Sequence, residues 1–373
     1  MIRYLSTAPA EKISGIALLR LDFNTEDDWR LEATLPTVKL LTRHARAVVI
    51  LSHRGRPPGP DPRLSLVSDA KNLGKLLKHK VVFIPHFRFA DIRSEIKCSP
   101  PGSVFLLENL RFHPDLRFAM SRQGSNDGVA RHLASLGDYY VNDAFAVSHR
   151  ADASLVEITR FLPSYAGLEM EKEIKFLRAI VHRPKRPLVV ILGGAKARDK
   201  LAVIQRLRRQ ADWFLLGGAS ANTMLMLQGV DVRKSLLEMD PKVLAELRRV
   251  LHYRNVIVPI DYRFDAAKHE ILDIGPRAVQ RFKEKIKIAR TILWSGPMGK
   301  WEEPMFRRGT LAVAQAVTAN RRALTVAGGG ETVTFLRKHK LDQCFDFIST
   351  GGGALMDYLA GEKLPGIEAL KKK

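Results

Sequence analysis

The sequence predicts an α/β fold built of parallel sheets, and three observations carry that reading. β-like apolar runs of about four to seven residues alternate with amphipathic helical stretches along the whole chain, the order of βα units rather than of segregated strands and helices. Runs in the first half end in Arg, His and Asn, whereas runs in the second half end in glycine clusters. All of these motifs sit just past a run, where open parallel sheets bind ligands.

In chain order, the first-half runs are LLRLDFN (18–24), AVVILSHRGRP (47–57), VFLLENLRF (104–112) and YYVNDAF (139–145), the last continuing into Ser148-His149-Arg150. Residues 167–187 read as a connector. Leu168, Met170, Ile174, Leu177 and Val181 recur at helical spacing, and RPKRP (183–187) stops the helix because proline cannot continue it. Beyond it come VVILGG (189–194), FLLGG (214–218), TIL before Trp294, LTVAGGG (324–330) and FISTGGG (347–353). Bare backbone amides suit nucleotide phosphates, while guanidinium and imidazole groups suit a small free anion. Two dissimilar anion sites on one chain suggest transfer of a group between them.

Composition sets the bounds. At 373 residues the chain predicts about two or three domains, and a hydrophobic share of 46% supplies their cores. No apolar run approaches the ~20 residues that span a bilayer, and Arg3, Glu11 and Lys12 interrupt any signal-like segment. Cys98 and Cys344 stand in no metal or redox spacing and read as free thiols of a reducing cytosol, so a soluble cytoplasmic protein is expected. The formal charge of +22 attracts anions or marks a solvated basic surface. Its residues are dispersed and accompany no zinc-finger, RNP or KH signature, so nucleic acid is not an expected partner.

Single motifs have bland readings beside the functional ones. Gly193-Gly194-Ala195-Lys196, with Lys200 one turn on, allows close approach of a phosphate, or is a tight strand-to-helix turn with solvated lysines. It is not a Walker A loop, and no GxGxxG occurs. Gly328-Gly329-Gly330-Glu331-Thr332 offers amides to a phosphoryl group and Glu331 to magnesium, although Glu is favoured in a first turn anyway. Ser349-Thr350-Gly351-Gly352-Gly353 repeats the arrangement with hydroxyls. Trp294-Ser295-Gly296-Pro297-Met298-Gly299, with Glu302 beyond, could hold a base and its ribose, or Trp294 is simply packed.

In the first half, His53, Arg56, Arg111 and Arg150 stand at the ends of separate runs, and Arg30 precedes Leu35-Pro36-Thr37, where proline marks a helix start. Charges gathered in this way must be reconciled by an anion. Asp22 and Asn24 could receive ligand hydroxyls, or Asp22 pairs with one of the arginines. GxSxG, HExxH, CxxC and the protein-kinase set are absent. With no positioned general base, the chemistry suits a nucleophile already ionised at neutral pH, such as a carboxylate attacking a γ-phosphoryl group.

Together these motifs resemble the phosphoglycerate kinase family from LLRLDFN through SHRGRP, ENLRF, YYVNDAFAVSHRA, AGLEMEKE, ILGGAK, DIGP, GPMG, GGGET and STGGGA to LPGIEAL. The resemblance implies two doubly wound (Rossmann-like) parallel-sheet domains joined by a helix hinge. Residues 1–166 would bind phosphoglycerate, 167–183 form the interdomain helix, 184–356 bind nucleotide, and 357–373 return to the first domain. It implies reversible transfer between 1,3-bisphosphoglycerate and ADP, giving 3-phosphoglycerate and MgATP, by a monomer with no membrane partner.

By the same resemblance, Asp22, Asn24, His53, Arg56, Arg111 and Arg150 bind the acid, and Arg30 steadies the migrating phosphoryl group. Lys196 and Lys200 act on phosphates. Gly194, Ala195, Gly217, Gly218, Ser295, Pro297, Gly328 and Thr332 belong to the nucleotide site, with Glu302 on the ribose. Gly329 and Gly330 supply amides, Glu331 holds the metal, and Thr350 lies near the reacting phosphate. The chain departs from the family pattern at Glu331 (usually Asp), Ser295 (usually Asn), Asp152 (usually His) and Arg198 (usually small). Charge alone carries the alternative, a weakened relative acting as a basic nucleic-acid-binding protein.

Overall fold

The computed structural model describes residues 1–25, 28–119 and 127–371. They form two compact units, Met1–Ile174 with Lys363–Lys373, and Lys175–Glu362. No helix among the described residues is long and apolar enough to cross a membrane.

The first unit is built on β1 (Ile16–Arg20), β2 (Ala47–Leu51), β3 (Val81–Ile84), β4 (Ser103–Leu107), β5 (Tyr139–Asn142) and β6 (Ser164–Ala166). These pair in parallel in the order β3-β4-β2-β1-β5-β6. Helices α1 (Trp29–His44), α2 (Val67–Leu77), α3 (Phe89–Cys98), α4 (Pro114–Ala119) and α5 (Asp127–Ala134) lie between strands in sequence. β2 is buried at every residue, which explains its unbroken apolar run: a parallel strand covered on both faces has no polar side to show. Because β1 leads to β2 on one side and β5 lies on the other, the order reverses between β1 and β5.

Pro36 does not start its helix. It lies inside α1, which begins at Trp29, so Arg30 stands in the first turn. Burial of Leu31, Val38 and Leu41 on either side of the proline holds the two halves together, and the ring itself is on the exposed face.

Helix α6 (Leu168–His182) follows β6, and the division between the compact units falls within it. The second unit comprises β7 (Leu188–Leu192), β8 (Trp213–Leu216), β9 (Val256–Ile257), β10 (Tyr262–Asp265), β11 (Glu270–Ile274), β12 (Thr291–Ser295), β13 (Leu324–Gly328) and β14 (Phe347–Ile348). All but β10 and β11 form a parallel sheet ordered β14-β13-β12-β7-β8-β9. β10 and β11 make a separate antiparallel ribbon, an element the purely parallel expectation did not include.

The helices of this unit are α7 (Ala197–Leu207), α8 (Gly218–Leu227), α9 (Pro241–Val250), α10 (Pro276–Ile288), α11 (Arg308–Ala319), α12 (Gly330–Lys338) and α13 (Gly353–Ala360). The strand order reverses between β7 and β12. Helix α13 stays with the second unit, and the chain re-enters the first at Lys363. There α14 (Pro365–Glu368) docks: Gly366 N–H donates to the Ser148 carbonyl at 2.8 Å, and Asn142 Nδ2 to the Gly366 carbonyl at 3.3 Å. Both sheets are thus doubly wound, and ligand sites are expected outside the strand ends at each reversal.

Candidate active site

At the reversal of the first unit, the decisive group is one the sequence reading passed over. Arg20, the last residue of β1, is 0% exposed. Its Nη2 donates to His53 Nδ1 at 2.8 Å, its Nε to Ser154 Oγ at 3.2 Å, and its Nη1 to the Leu21 carbonyl. A guanidinium only donates, so His53 Nδ1 must accept, and the neutral ring carries its proton on Nε2. The ring is held neutral: burial pushes the imidazole well below its ordinary range, and Arg20, Arg111, Arg150 and Arg56 push further the same way. Buried Nε2 has no partner among the described residues, so it is an N–H donor awaiting an acceptor.

Around it, Arg111 donates to the Gly55 carbonyl, Arg56 is exposed, and Arg150 Nε lies 3.3 Å from Asp152 Oδ2. Burial first, then Arg150, brings the Arg111 guanidinium down to about 10. Asn109 fixes this loop. Its Nδ2 donates to the carbonyls of Arg54 and Leu64 at 2.8 and 2.9 Å, and its Oδ1 accepts from Arg54 and Arg111 N–H at 3.2 and 3.1 Å.

Two residues expected at the ligand already hold partners in the protein. Asp22 Oδ2 sits 3.3 Å from Arg30 Nη1 and Oδ1 accepts from Asn24 N–H at 3.2 Å, which leaves each carboxylate oxygen further acceptor capacity. Asn24 Oδ1 accepts from Gly55 N–H at 2.8 Å. An arginine beside a carboxylate at a crowded strand end pairs before any ligand arrives. Arg30 Nε is buried and has no partner among the described residues.

In the second unit the first two glycine clusters do not present bare amides. Gly193 N–H donates to the Ser295 carbonyl (3.0 Å), Gly194 to Pro297 (2.8 Å), Gly217 to Leu192 (2.8 Å) and Gly218 to Met298 (3.0 Å). Their glycines instead let three strand-end loops lie backbone to backbone. A Cβ at Gly193 would overlap the Pro297 carbonyl oxygen and fall 2.8 Å from that of Gly296. Gly328 also serves packing, against Leu355.

The third cluster is different. Gly329 adopts φ +91°, which an L side chain rarely tolerates, and α12 starts from it with no side-chain cap. The first-turn amides of a helix have no intrahelical acceptor, and the exposed Gly330 has open space where a side chain would stand. Thr332, expected at the nucleotide, accepts Gly296 N–H at 2.7 Å and is fully buried. Ser295 is buried too, with Oγ 3.4 Å from Met356 Sδ.

Beside this helix start lies a cavity of about 430 Å³, lined by Gly194, Ala195, Gly218, Pro297, Glu302 and Glu331 and by an apolar wall that includes Leu225, Leu236, Tyr262 and Met298. Its volume suits a small organic ligand such as a base with its sugar. Trp294 does not line it. That ring is fully buried, with Nε1 donating to the Gly296 carbonyl at 2.8 Å, and Trp301 reaches the cavity instead. Lys196 is exposed at the N-cap of α7, while Lys200, one turn on, is buried, its ammonium pushed down by that burial against the opposing fields of Asp199 and Glu331. Arg198 is turned away into an ion pair with Asp240. Thr350 is buried before the cap of α13.

The sequence reading missed Arg20, Asn109 and the apolar cavity wall. Arg20 carried a signal, a lone arginine inside an otherwise apolar run. The wall carried none, because Leu225, Leu236, Tyr262 and Met298 come from four separate segments.

A cation-lined anion site and a glycine-opened helix start beside a base-sized cavity, both at strand ends of doubly wound sheets, define the class: an α/β protein that handles two anionic ligands, one of them nucleotide-like. The phosphoglycerate kinase family model matches residues 16–362. Phosphoglycerate kinase of Pseudothermotoga lettingae is 38% identical, covering 95% of this chain and 96% of its own. That of Desulfosudis oleivorans is 39% identical over the same shares. Among solved structures, phosphoglycerate kinase from Pyrococcus horikoshii superposes with TM-score 0.86 at 32% identity, covering 99% of this chain and 98% of that one. The Coxiella burnetii structure gives 0.83 at 29%, covering 99% of each chain. The chain belongs to the phosphoglycerate kinase family.

Proposed function

We propose that this chain catalyses reversible phosphoryl transfer between 1,3-bisphosphoglycerate and ADP, giving 3-phosphoglycerate and MgATP, a step of glycolysis carried out in the cytoplasm by a monomer. The observation that carries the reading is the neutral His53, whose buried Nε2–H has no partner among the described residues and lies in the fields of Arg20, Arg111, Arg150 and Arg56, a setting that suits an anion. His53, Arg56, Arg111 and Arg150 hold the acid, and Asp22 and Asn24 receive its hydroxyl. Arg30 meets charge on the migrating phosphoryl group. Lys196, Lys200, the amides of Gly329 and Gly330, and Thr350 receive it from the nucleotide side.

The acceptor carboxylate is ionised at neutral pH and needs no base, so its oxygen forms the new P–O bond as the bond to the ADP oxygen breaks. Catalysis is then positioning and charge neutralisation. Glu302 suits the ribose hydroxyls. Glu331 fits a magnesium ion: its carboxylate is exposed in the first turn of α12 and borders the cavity, and no group of three metal-ligating side chains occurs among the described residues. A hard cation held by one carboxylate, nucleotide phosphates and water is the usual magnesium arrangement, and it would neutralise phosphate charge there. Because acid and nucleotide belong to different units, transfer requires a state in which they meet, and scattering with both ligands bound tests for it.

The deciding experiment is a coupled assay with 3-phosphoglycerate, ATP and magnesium, each omitted in turn. Turnover that survives omission of the acid, or never appears, ends the reading. No observation favours the nucleic-acid alternative.

A further inference from the structure

Asp152 is a carboxylate in the wrong company. It is 1% exposed and lies 3.3 Å from Arg150 Nε, and the fields of Arg20 and Arg111 reach it as well. A buried carboxylate normally gathers hydrogen bonds. None reaches this one among the described residues: Oδ2 is without a hydrogen-bond partner, and only the backbone carbonyl is used, accepting from Leu155 and Val156 N–H at 2.8 and 2.9 Å. The side chain therefore caps nothing and closes no turn. Burial raises its proton affinity, so leaving it there is unfavourable unless the arginines are its purpose.

The ion pair takes Nε of Arg150 and leaves both terminal nitrogens with no acceptor among the described residues. The two carboxylates whose fields reach Arg20 are Asp22 and Asp152. Asp22 is already occupied by Arg30.

We propose that Asp152 is a resident counter-anion of the cationic site: it orients Arg150 and offsets part of the charge that a bound phosphorylated acid meets, so that the acid binds more weakly and leaves faster. The inference rests on the reading that His53, Arg111 and Arg150 take that acid, and it makes Asp152 a positioning residue, one that acts through Arg150.

Asp152→Asn keeps the shape and removes the charge. Its KM for 3-phosphoglycerate should fall about three- to tenfold, with KM for ATP unchanged and a steeper loss of affinity as salt is added. Independently of turnover, inorganic phosphate should protect the variant from heat at a correspondingly lower concentration than the parent. A phosphate midpoint that is unchanged or raised overturns the inference whatever the kinase assay shows. A lowered midpoint in a protein without kinase activity upholds the counter-anion and sinks the kinase reading instead. Asp152→Ser, smaller and also uncharged, carries the same test if the Asn variant does not fold.

Discussion

In the first unit the anion site is made of side chains that lean on one another: Arg20 sets the tautomer of His53, Asp22 holds Arg30, and Asp152 holds Arg150. In the second unit the corresponding place is made of backbone, with the loops after β7, β8 and β12 pressed together through glycines and a bare helix start beyond them. The difference teaches how each should fail. A side chain removed from the first site leaves the frame standing and changes binding or rate. A side chain added to the second has nowhere to go and changes the fold.

The largest expected effect tests that contrast at its sharpest. Gly193→Ala drives a methyl into the Pro297 carbonyl, and backbone on both sides cannot yield. We expect the second unit to lose ~3 kcal/mol or more. Denaturation followed by fluorescence reports it, since Trp213, Trp294 and Trp301 all lie there. Parental stability would break the comparison outright.

Next is Arg30→Ala, expected to lower kcat about a hundredfold while leaving the KM for 3-phosphoglycerate nearly unchanged, as for a contact made mainly in the transition state. A raised KM with intact kcat would move Arg30 to ground-state binding. Smaller still, His53→Phe should raise that KM about tenfold by deleting one hydrogen-bond donor, without altering the KM for ATP. Equal change in both constants would mean that the site is not confined to the first unit's cations.

The smallest effect is on pH dependence. Burial first, then Glu173 and Asp143, lifts the Glu169 carboxyl to about 8, and burial lifts Asp143 to about 6. A carboxyl whose folded pKa is raised stabilises where it stays protonated, so stability present at low pH is lost as pH rises through the folded value. Thermal stability of the first unit should therefore decline from about pH 4, the ordinary carboxyl range, up to about pH 8, and Glu169→Gln should flatten the upper part of the decline, above the range of Asp143. Asp273, lifted by burial to about 7, acts in the same sense in the second unit and should be untouched by that substitution. An unaltered slope in Glu169→Gln would remove Glu169 from the account.

The strands were legible because parallel strands buried on both faces are written as short apolar runs, and β2 and β7 are all but unmistakable. The connector helix was legible from its spacing and from the prolines behind it. What sequence could not tell was how polar groups would be shared out. Gly193 looks like an open amide until the Ser295 carbonyl, about a hundred residues away, is seen to take it. Asp22 looks unpaired until Arg30 is placed in the first turn of α1 rather than ahead of Pro36. Arg20 was visible as an oddity, but its task depends on His53, which only the pairing of β1 with β2 brings alongside. Local pattern fixes elements, whereas hydrogen-bond partners are settled by tertiary neighbours.

The late return of the chain has a consequence for synthesis. Everything from Lys175 to Glu362 is polymerised before Lys363 is added, yet the Ser148 carbonyl and the Asn142 amide of the first unit take their partners from Gly366. The lobe begun first therefore cannot be finished from its own continuous stretch of chain and stays open through synthesis of the whole second lobe. Emergence of Ala166, the end of the sixth strand, does not seal the amino-terminal lobe, which waits for residues as late as Gly366.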